Sequence, residues 1–507
     1  MPSSLPSSLP RSTPTDQGVD PAAILALLDA LEARPDIEMH SLMIVRHGHV
    51  VTEGWWAPYS AGQRHLLYSL SKSFTSAAAG FAQAEGLLDL DDPVVKHFPE
   101  FEADITDPGS RAIKVRHIAA MASGHDREML EEARQRDPDE LVRGFLLIPP
   151  DQEPGTLFAY SQPCTYTLGS IVQRNSGLPL TEYLRPRLFD PLGIGPVGWQ
   201  TWPSGRPGRP GRQPDRQQGF SGLFARTEDL AKLGLLHLQG GVWDGRQLLA
   251  ADWVAQATSK QVANPDRENP DWRQGYGFQF WMSRHGYRGD GAFGQFCVVL
   301  PELDTVVVST AATLDMQAVL DALWEHLLPG LGRARGQAGA AARQSELTDR
   351  LAGLALAARP AGSAPPAGGA LARAPFAVAG VDGELATTLT SVSAAGRDGG
   401  WEVTLGEPRN QLTFRAGAGS WAVSAPADQR GGTVPIAACG GWTDRARPGG
   451  AGPGGAGPGG GELRLDVIFL ETPHRMDIEL STEDGTATAA WRVPPLFPGH
   501  LADLHCP

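Results

Sequence analysis

From Phe74 to Ala82 the chain reads Phe-Thr-Ser-Ala-Ala-Ala-Gly-Phe-Ala, a helix-length run without a single charge, and a lysine, Lys72, stands at its head. A helix apolar on all sides has to be packed inside a protein, so the fold must place other layers around it. A lysine with no task is out of place in such surroundings. Ser69 lies three residues earlier, and in a helix positions i and i+3 share a face with Cβ atoms about 5–6 Å apart. The lysine nitrogen can therefore lie against the serine hydroxyl. The pattern starts the helix at Ser69 itself, where unpaired N–H groups and the positive dipole end favour an oxyanion and disfavour a protonated lysine. Both effects point to an acyl-enzyme.

Ser-x-x-Lys occurs only here, and only five residues of the chain are lysines: Lys72, Lys96, Lys114, Lys232 and Lys260. Arginine, which the chain otherwise prefers, does not deprotonate in proteins and cannot act as a base. A lysine can, once burial or nearby positive charge lowers its pKa.

Composition narrows the partners. With 507 residues the chain can build a large core and more than one domain. A net charge of −14 leaves no basic footprint for nucleic acid or an anionic membrane. Cys164, Cys297, Cys439 and Cys506 are scattered without Cys-x-x-Cys spacing, which reads as buried reduced thiols rather than a zinc site or a disulfide framework. No run suits a secretory leader or a bilayer span, so the expectation is a cytoplasmic protein that needs no metal or cofactor.

Residues 1–19, rich in Ser and Pro, are expected to form a disordered tail. Asp20-Pro21 opens a helix to about Arg34 with Ile24, Leu27, Leu28 and Leu31 on one stripe. Leu42–Val45 and Val50–Thr52 form a hairpin about His47-Gly48-His49, where histidine in a turn is the favoured reading over a metal pair. Helices and loops fill the chain to about residue 270. Strands return at Tyr276–Met282, Phe296–Leu300 and Thr305–Thr310, followed by a closing helix over Asp315–Leu328. The sheet of a unit spanning 20–330 is thus assembled from its two ends around a helical insertion. Residues 331–370 read as an Ala/Gly/Pro-rich linker with one helix, Gln344–Ala358. Residues 371–507 read as a β-rich domain, a small sandwich or barrel, with a mobile Gly/Pro loop at 447–461. Trp401, Trp421, Trp442 and Trp491 belong to its core in preference to a ligand platform.

The dyad needs a proton relay and an oxyanion hole. Tyr160, at a loop-to-helix corner before Ser161-Gln162, is the candidate relay. Arg288-Gly289-Asp290-Gly291-Ala292-Phe293-Gly294-Gln295 leads into a strand, and its glycines allow a substrate carbonyl to approach the backbone. No Gly-Lys-Ser/Thr, dinucleotide fingerprint, Gly-x-Ser-x-Gly elbow or His-Glu-x-x-His is present.

The order of these motifs, Ser69-Leu70-Ser71-Lys72, Tyr160-Ser161-Gln162 and the glycine-rich approach ending at Gln295, resembles the class C β-lactamase-related serine hydrolases. Glu85–Pro93, Leu184–Gly193 and Ser221–Leu230 add to the likeness, which covers about residues 22–328. The resemblance implies a mixed α/β fold, a mainly antiparallel sheet flanked by helices with a helical subdomain. It implies Ser69 as the acylated nucleophile, with Lys72 and Tyr160 as one coupled acid–base unit. Gln162, Arg288, Gly291 and Ala292 fall at the substrate, with the N–H groups of Ser69 and Ala292 as the oxyanion hole. The family's β-lactamases carry Tyr-x-Asn and Lys-Thr-Gly, whereas this chain has Gln162 for the asparagine and no lysine in the third box. Arg288 is then the candidate anchor for a substrate carboxylate. A small-molecule ester or amide is the expected substrate. The alternatives are a penicillin-interactive β-lactamase or DD-peptidase, and a non-catalytic ligand-binding protein on the same fold.

Overall fold

In the computed structural model the described residues are 8–202, 215–332, 339–362, 371, 375–379, 383, 385–429, 431–444, 461–497 and 499–507. They form two compact units. One joins the chain up to Gly54 with Leu67–Gly353; the other joins Trp55–Leu66 with Leu354–Pro507.

In the first unit, α1 (Pro21–Glu32) begins at Asp20, whose side chain accepts the Ala22 N–H at 3.0 Å, and buries Ile24, Leu27, Leu28 and Leu31. Strands β1 (Glu38–Arg46) and β2 (His49–Trp55) meet at His47 and Gly48, both at positive φ, which gives the turn the twist a tight hairpin requires. Four further strands complete a six-stranded sheet: β3 (Trp281–Met282), β4 (Tyr287–Gly291), β5 (Gln295–Leu300) and β6 (Thr305–Ala312), in the order β3-β4-β5-β6-β1-β2. The pairings from β3 through β6 to β1 are antiparallel, so the two ends of the unit meet at β6 and β1. The charge-free helix, α2 (Ser71–Ala84), packs against α3 (Gln162–Ser176). A further helix, α4 (Thr227–Leu238), lies across β1, β5 and β6.

Every residue of α2 from Ser71 to Ala82 is buried. Its hydroxyl side chains are satisfied one by one: Ser71 Oγ accepts from Leu223 N, Ser73 Oγ donates to the Gln279 carbonyl, Thr75 to Gly219 and Ser76 to Phe278. These bonds fix the axial position of the helix.

Several expectations change. Residues 8–19 are ordered: Leu9 is buried with its N–H on Glu228, and Arg11 bridges Glu53 and Glu228. The helix does not start at Ser69, which lies in a single 3-10 turn, Tyr68–Leu70, leading into α2. Only Trp281–Met282 of the strand expected from Tyr276 forms, because Phe278 and Gln279 give their carbonyls to α2. The helix expected at 344–358 is Ala340–Ala352.

The second unit is a nine-stranded sheet that closes on itself. Its strands are β7 (Phe376–Ala379), β8 (Ser391–Arg397), β9 (Gly400–Glu407), β10 (Asn410–Ala418), β11 (Ala422–Ser424), β12 (Ile436–Asp444), β13 (Gly461–Phe469), β14 (Arg475–Ser481) and β15 (Thr486–Val493). Closure is made by two parallel pairings, β7 with β15 and β10 with β12; the other ladders are antiparallel. Trp401, Trp442 and Trp491 point inward into a filled apolar core with Phe414, Leu465 and Ile478. Leu354–Gly362 belongs to this unit, with Leu356 N on Ala57 O and Gly362 bridged to Trp442, so the region read as a linker is partly barrel. The loop expected at 447–461 lies outside the described residues, apart from Gly461, which opens β13.

Candidate active site

Tyr68, the residue before Ser69, has φ +48 and is buried, a conformation that costs a non-glycine residue about 1 kcal/mol or more and that its packing has to hold. Its ring meets Phe293, also at positive φ, edge to face with centroids 5.3 Å apart. The turn that delivers Ser69 and the turn after β4 are thereby packed on each other.

Lys72 is 1% exposed, and its Nζ has three oxygen neighbours: Gln162 Oε1 at 2.7 Å, Phe220 O at 2.8 Å and Ser69 Oγ at 3.0 Å. The first two are carbonyls, which only accept. A neutral amine gives them its two N–H groups and turns its lone pair toward the Ser69 hydroxyl, the arrangement a base needs. Burial pushes the Lys72 pKa down to about 7, against the opposing pull of Glu128, Asp290 and Cys164.

Tyr160 enters from the loop before α3, and Lys72 Nζ stands 4.7 Å from its ring centre. The ring is stacked on Trp281, centroids 5.2 Å apart, and Tyr276 closes on it edge to face. Burial and then the charge of Asp290 hold the phenol well above its usual pKa near 10, with a hydrogen-bonding interaction with Ser69 opposing them. Burial thus favours the neutral form of both groups, the protonated phenol of Tyr160 and the free amine of Lys72.

Gln162, expected at the substrate, uses its carbonyl oxygen to hold Lys72. Its backbone N–H donates to Glu128, at 3.1 Å to the nearer oxygen, which steadies the first turn of α3. Arg288 is a correction. It is fully buried, donates to Asp290 at 3.0 Å and to the carbonyls of Asp271 and Met282 at 3.2 Å, and lies 4.2 Å over Trp272, so it offers no surface to a substrate carboxylate.

The glycines of β4 have a different reason from the expected one. A Cβ on Gly291 would stand 2.0 Å from Leu67 O and 3.1 Å from Leu70 N; one on Gly289 would meet Ser73 Oγ at 2.5 Å. The strand is bare because the Ser69 turn and α2 press against it. Ala292 follows at the end of this edge, its carbonyl held at 3.0 Å by the buried Gln295, which also bonds Ala311 on β6.

The Phe220 carbonyl, Glu128, Trp281 and Asp290 were missed from sequence. Phe220 acts through its backbone and so leaves no signal in residue type, although it adjoins Ser221-Gly222-Leu223. Asp290 is the one acidic residue of the third box, and that is the signal that could have found it.

Ser69, Lys72 and Tyr160, gathered where the turn before α2 meets β4, are the candidate site of a serine hydrolase. The chain belongs to the β-lactamase family: the family model described as Beta-lactamase matches residues 26–328. It is 26% identical to a 6-aminohexanoate-dimer hydrolase of Paenarthrobacter ureafaciens over 58% of this chain and 80% of that protein. To esterase EstB of Burkholderia gladioli it is 27% identical over 36% of this chain and 53% of the esterase. Among solved structures, a putative β-lactamase from Bacteroides dorei superposes with a TM-score of 0.49 at 16% identity, over 61% of this chain and 99% of that one. No helix among the described residues is long and apolar enough to cross a membrane.

Proposed function

We propose that the protein hydrolyses an ester or a small amide through an acyl-Ser69 intermediate. The observation that carries this reading is the Lys72 amine, held by two carbonyl acceptors with its third direction on Ser69 Oγ. As Oγ attacks the substrate carbonyl carbon, its proton passes to Lys72 Nζ. The oxyanion is received by the N–H groups of Ser69 and Ala292. Lys72 then returns the proton, through the Tyr160 hydroxyl, to the departing alcohol or amine, and the C–O or C–N bond breaks. Water repeats the sequence on the acyl-enzyme, giving the acid and free Ser69. Gly291 contributes room for the nucleophile turn, and Gln162 keeps Lys72 aimed.

The names of the relatives, an amide hydrolase and an esterase, support both bond types as candidates. The test is turnover of 4-nitrophenyl butyrate together with fluorophosphonate labelling. Wild type should do both, and Ser69→Ala should lose about 10³-fold or more in rate, with no label at position 69. Equal turnover or equal labelling in the two proteins would overturn the reading.

A further inference from the structure

Tyr160 is half-buried on the loop before α3, and the backbone beside it is tied to Met121, whose carbonyl accepts Ala159 N at 3.0 Å. That bond places the loop and leaves the two side-chain torsions of the phenol to be set by packing. The packing is Trp281. Its indole is stacked on the Tyr160 ring with centroids 5.2 Å apart and planes 18° from parallel. Trp281 is itself held by three more rings: Tyr276 at 4.8 Å and Phe158 at 5.4 Å, both edge to face, and Trp272 at 6.3 Å. A ring clamped in this way cannot slide without moving the others.

Strand pairing extends the clamp to the nucleophile. Trp281 pairs with Arg288 on β4, and the Arg288 guanidinium lies 4.2 Å over Trp272 and 5.9 Å from the Trp281 ring. Gly291, three residues along the same strand, is the position pressed against the Ser69 turn. One rigid strand thus carries the turn that presents Ser69 and, through its partner β3, the ring that backs Tyr160. The relative placement of the two reacting hydroxyls is built into the pairing of β3 with β4.

We propose that Trp281 is a positioning residue: it aims the Tyr160 hydroxyl at the leaving group and so extends the enzyme to esters and amides whose leaving groups cannot depart unprotonated. The inference rests on the acyl-Ser69 reading with Tyr160 as its relay. As the C–O or C–N bond breaks, Tyr160 Oη gives its proton to the departing atom and takes one from Lys72 Nζ. A 4-nitrophenolate leaves without that proton, whereas an alcohol or an amine does not. Misplacing the hydroxyl by about 1 Å costs up to about a hundredfold, and the loss falls on the substrates that need the proton.

Three butyrate esters with leaving groups of rising basicity test it: 4-nitrophenyl, phenyl and 2,2,2-trifluoroethyl. The wild type should turn over all three. Trp281→Leu removes the ring, and should lose less than about tenfold in kcat/KM on the 4-nitrophenyl ester and about a hundredfold on the trifluoroethyl ester. Its labelling of Ser69 by a fluorophosphonate, from which fluoride departs without a proton, should stay close to wild type. Trp281→Phe keeps a ring against Tyr160 and should restore most of the trifluoroethyl rate. In a Tyr160→Phe background Trp281→Leu should add no further leaving-group dependence, because no hydroxyl is left to aim. A merely structural role would slow the three esters and the labelling together. That parallel loss, a leaving-group dependence undiminished in the Tyr160→Phe background, or a wild type that turns over only the 4-nitrophenyl ester overturns the proposal. Ser69→Ala keeps the two readings apart: if it is inactive on all three esters while Trp281→Leu slows them in parallel, only the Trp281 inference fails.

Discussion

Lys72 carries an opposition between stability and activity. Its pKa is held near 7 by burial, against an ordinary value near 10.5, so between those pH values the folded protein binds fewer protons than the unfolded chain. The cost of the buried lysine is then full below pH 7 and is relieved as pH rises toward 10.5. Lys72→Met removes this dependence. The variant should be inactive, and its melting temperature relative to wild type should be highest below pH 7 and decline toward pH 10, as followed by calorimetry across that range. Gln162→Glu puts a carboxylate where an amide oxygen now stands 2.7 Å from Nζ, and should move the acid limb of kcat/KM up by about one pH unit or more. Ser69, Lys72 and Tyr160 were legible because their residue types and order are rare in combination. The second carbonyl acceptor on Lys72 was not, since any residue type at Phe220 offers the same carbonyl.

At the scale of elements, the contact between β4 and the Ser69 turn decides the site. Gly291→Ala sets a Cβ against the backbone oxygen of Leu67, which has no room to move without shifting the turn itself. It should destabilise the protein by about 1–3 kcal/mol in denaturant unfolding and depress turnover further than that loss explains. Gly289→Ala is different in kind, because its obstacle is the Ser73 hydroxyl, with Ser73 Cβ at a tolerable 3.4 Å. Adding Ser73→Ala should restore most of the stability lost in Gly289→Ala, a coupling measurable in a double-mutant cycle. Additive losses would show that Ser73 is not the obstacle. The glycine-rich box was visible as a pattern, but its reason was misread: the close approach is by the protein's own helix. Likewise the expected strand from Tyr276 gave way to loop because α2 takes the carbonyls of Phe278 and Gln279. Tertiary demand overrode a good β pattern there.

For the whole molecule, chain order and compact units do not coincide. Trp55–Leu66, which runs directly into the nucleophile turn, belongs to the barrel unit. Within that unit Leu66 N donates to Glu471 O, Tyr59 Oη to Thr472 O, and Arg64 to the Glu471 carboxylate, which also accepts Cys506 N at 2.7 Å. The Glu471-Thr472-Pro473 turn, which had no role in sequence, is the clasp of this segment. Glu471→Ala leaves a buried N–H without its acceptor and should cost about 1–3 kcal/mol in urea unfolding. A chain ended at Gly353 strips every one of these partners from residues 55–66, and its yield of soluble, Ser69-labelled protein should drop sharply. Full labelling of that fragment would show the segment holds its course unaided.

The sequence by itself determined that Ser69 and Lys72 are spaced to meet, the helix-and-sheet character of the larger unit and the β character of the smaller. These follow from local spacing and from the periodicity of apolar residues. Tertiary structure alone decided that Arg288 is buried, that it is paired with Asp290, and that the strap before Ser69 is barrel. Each of these depends on which surfaces meet across long stretches of chain, and no residue type encodes its partner at that distance.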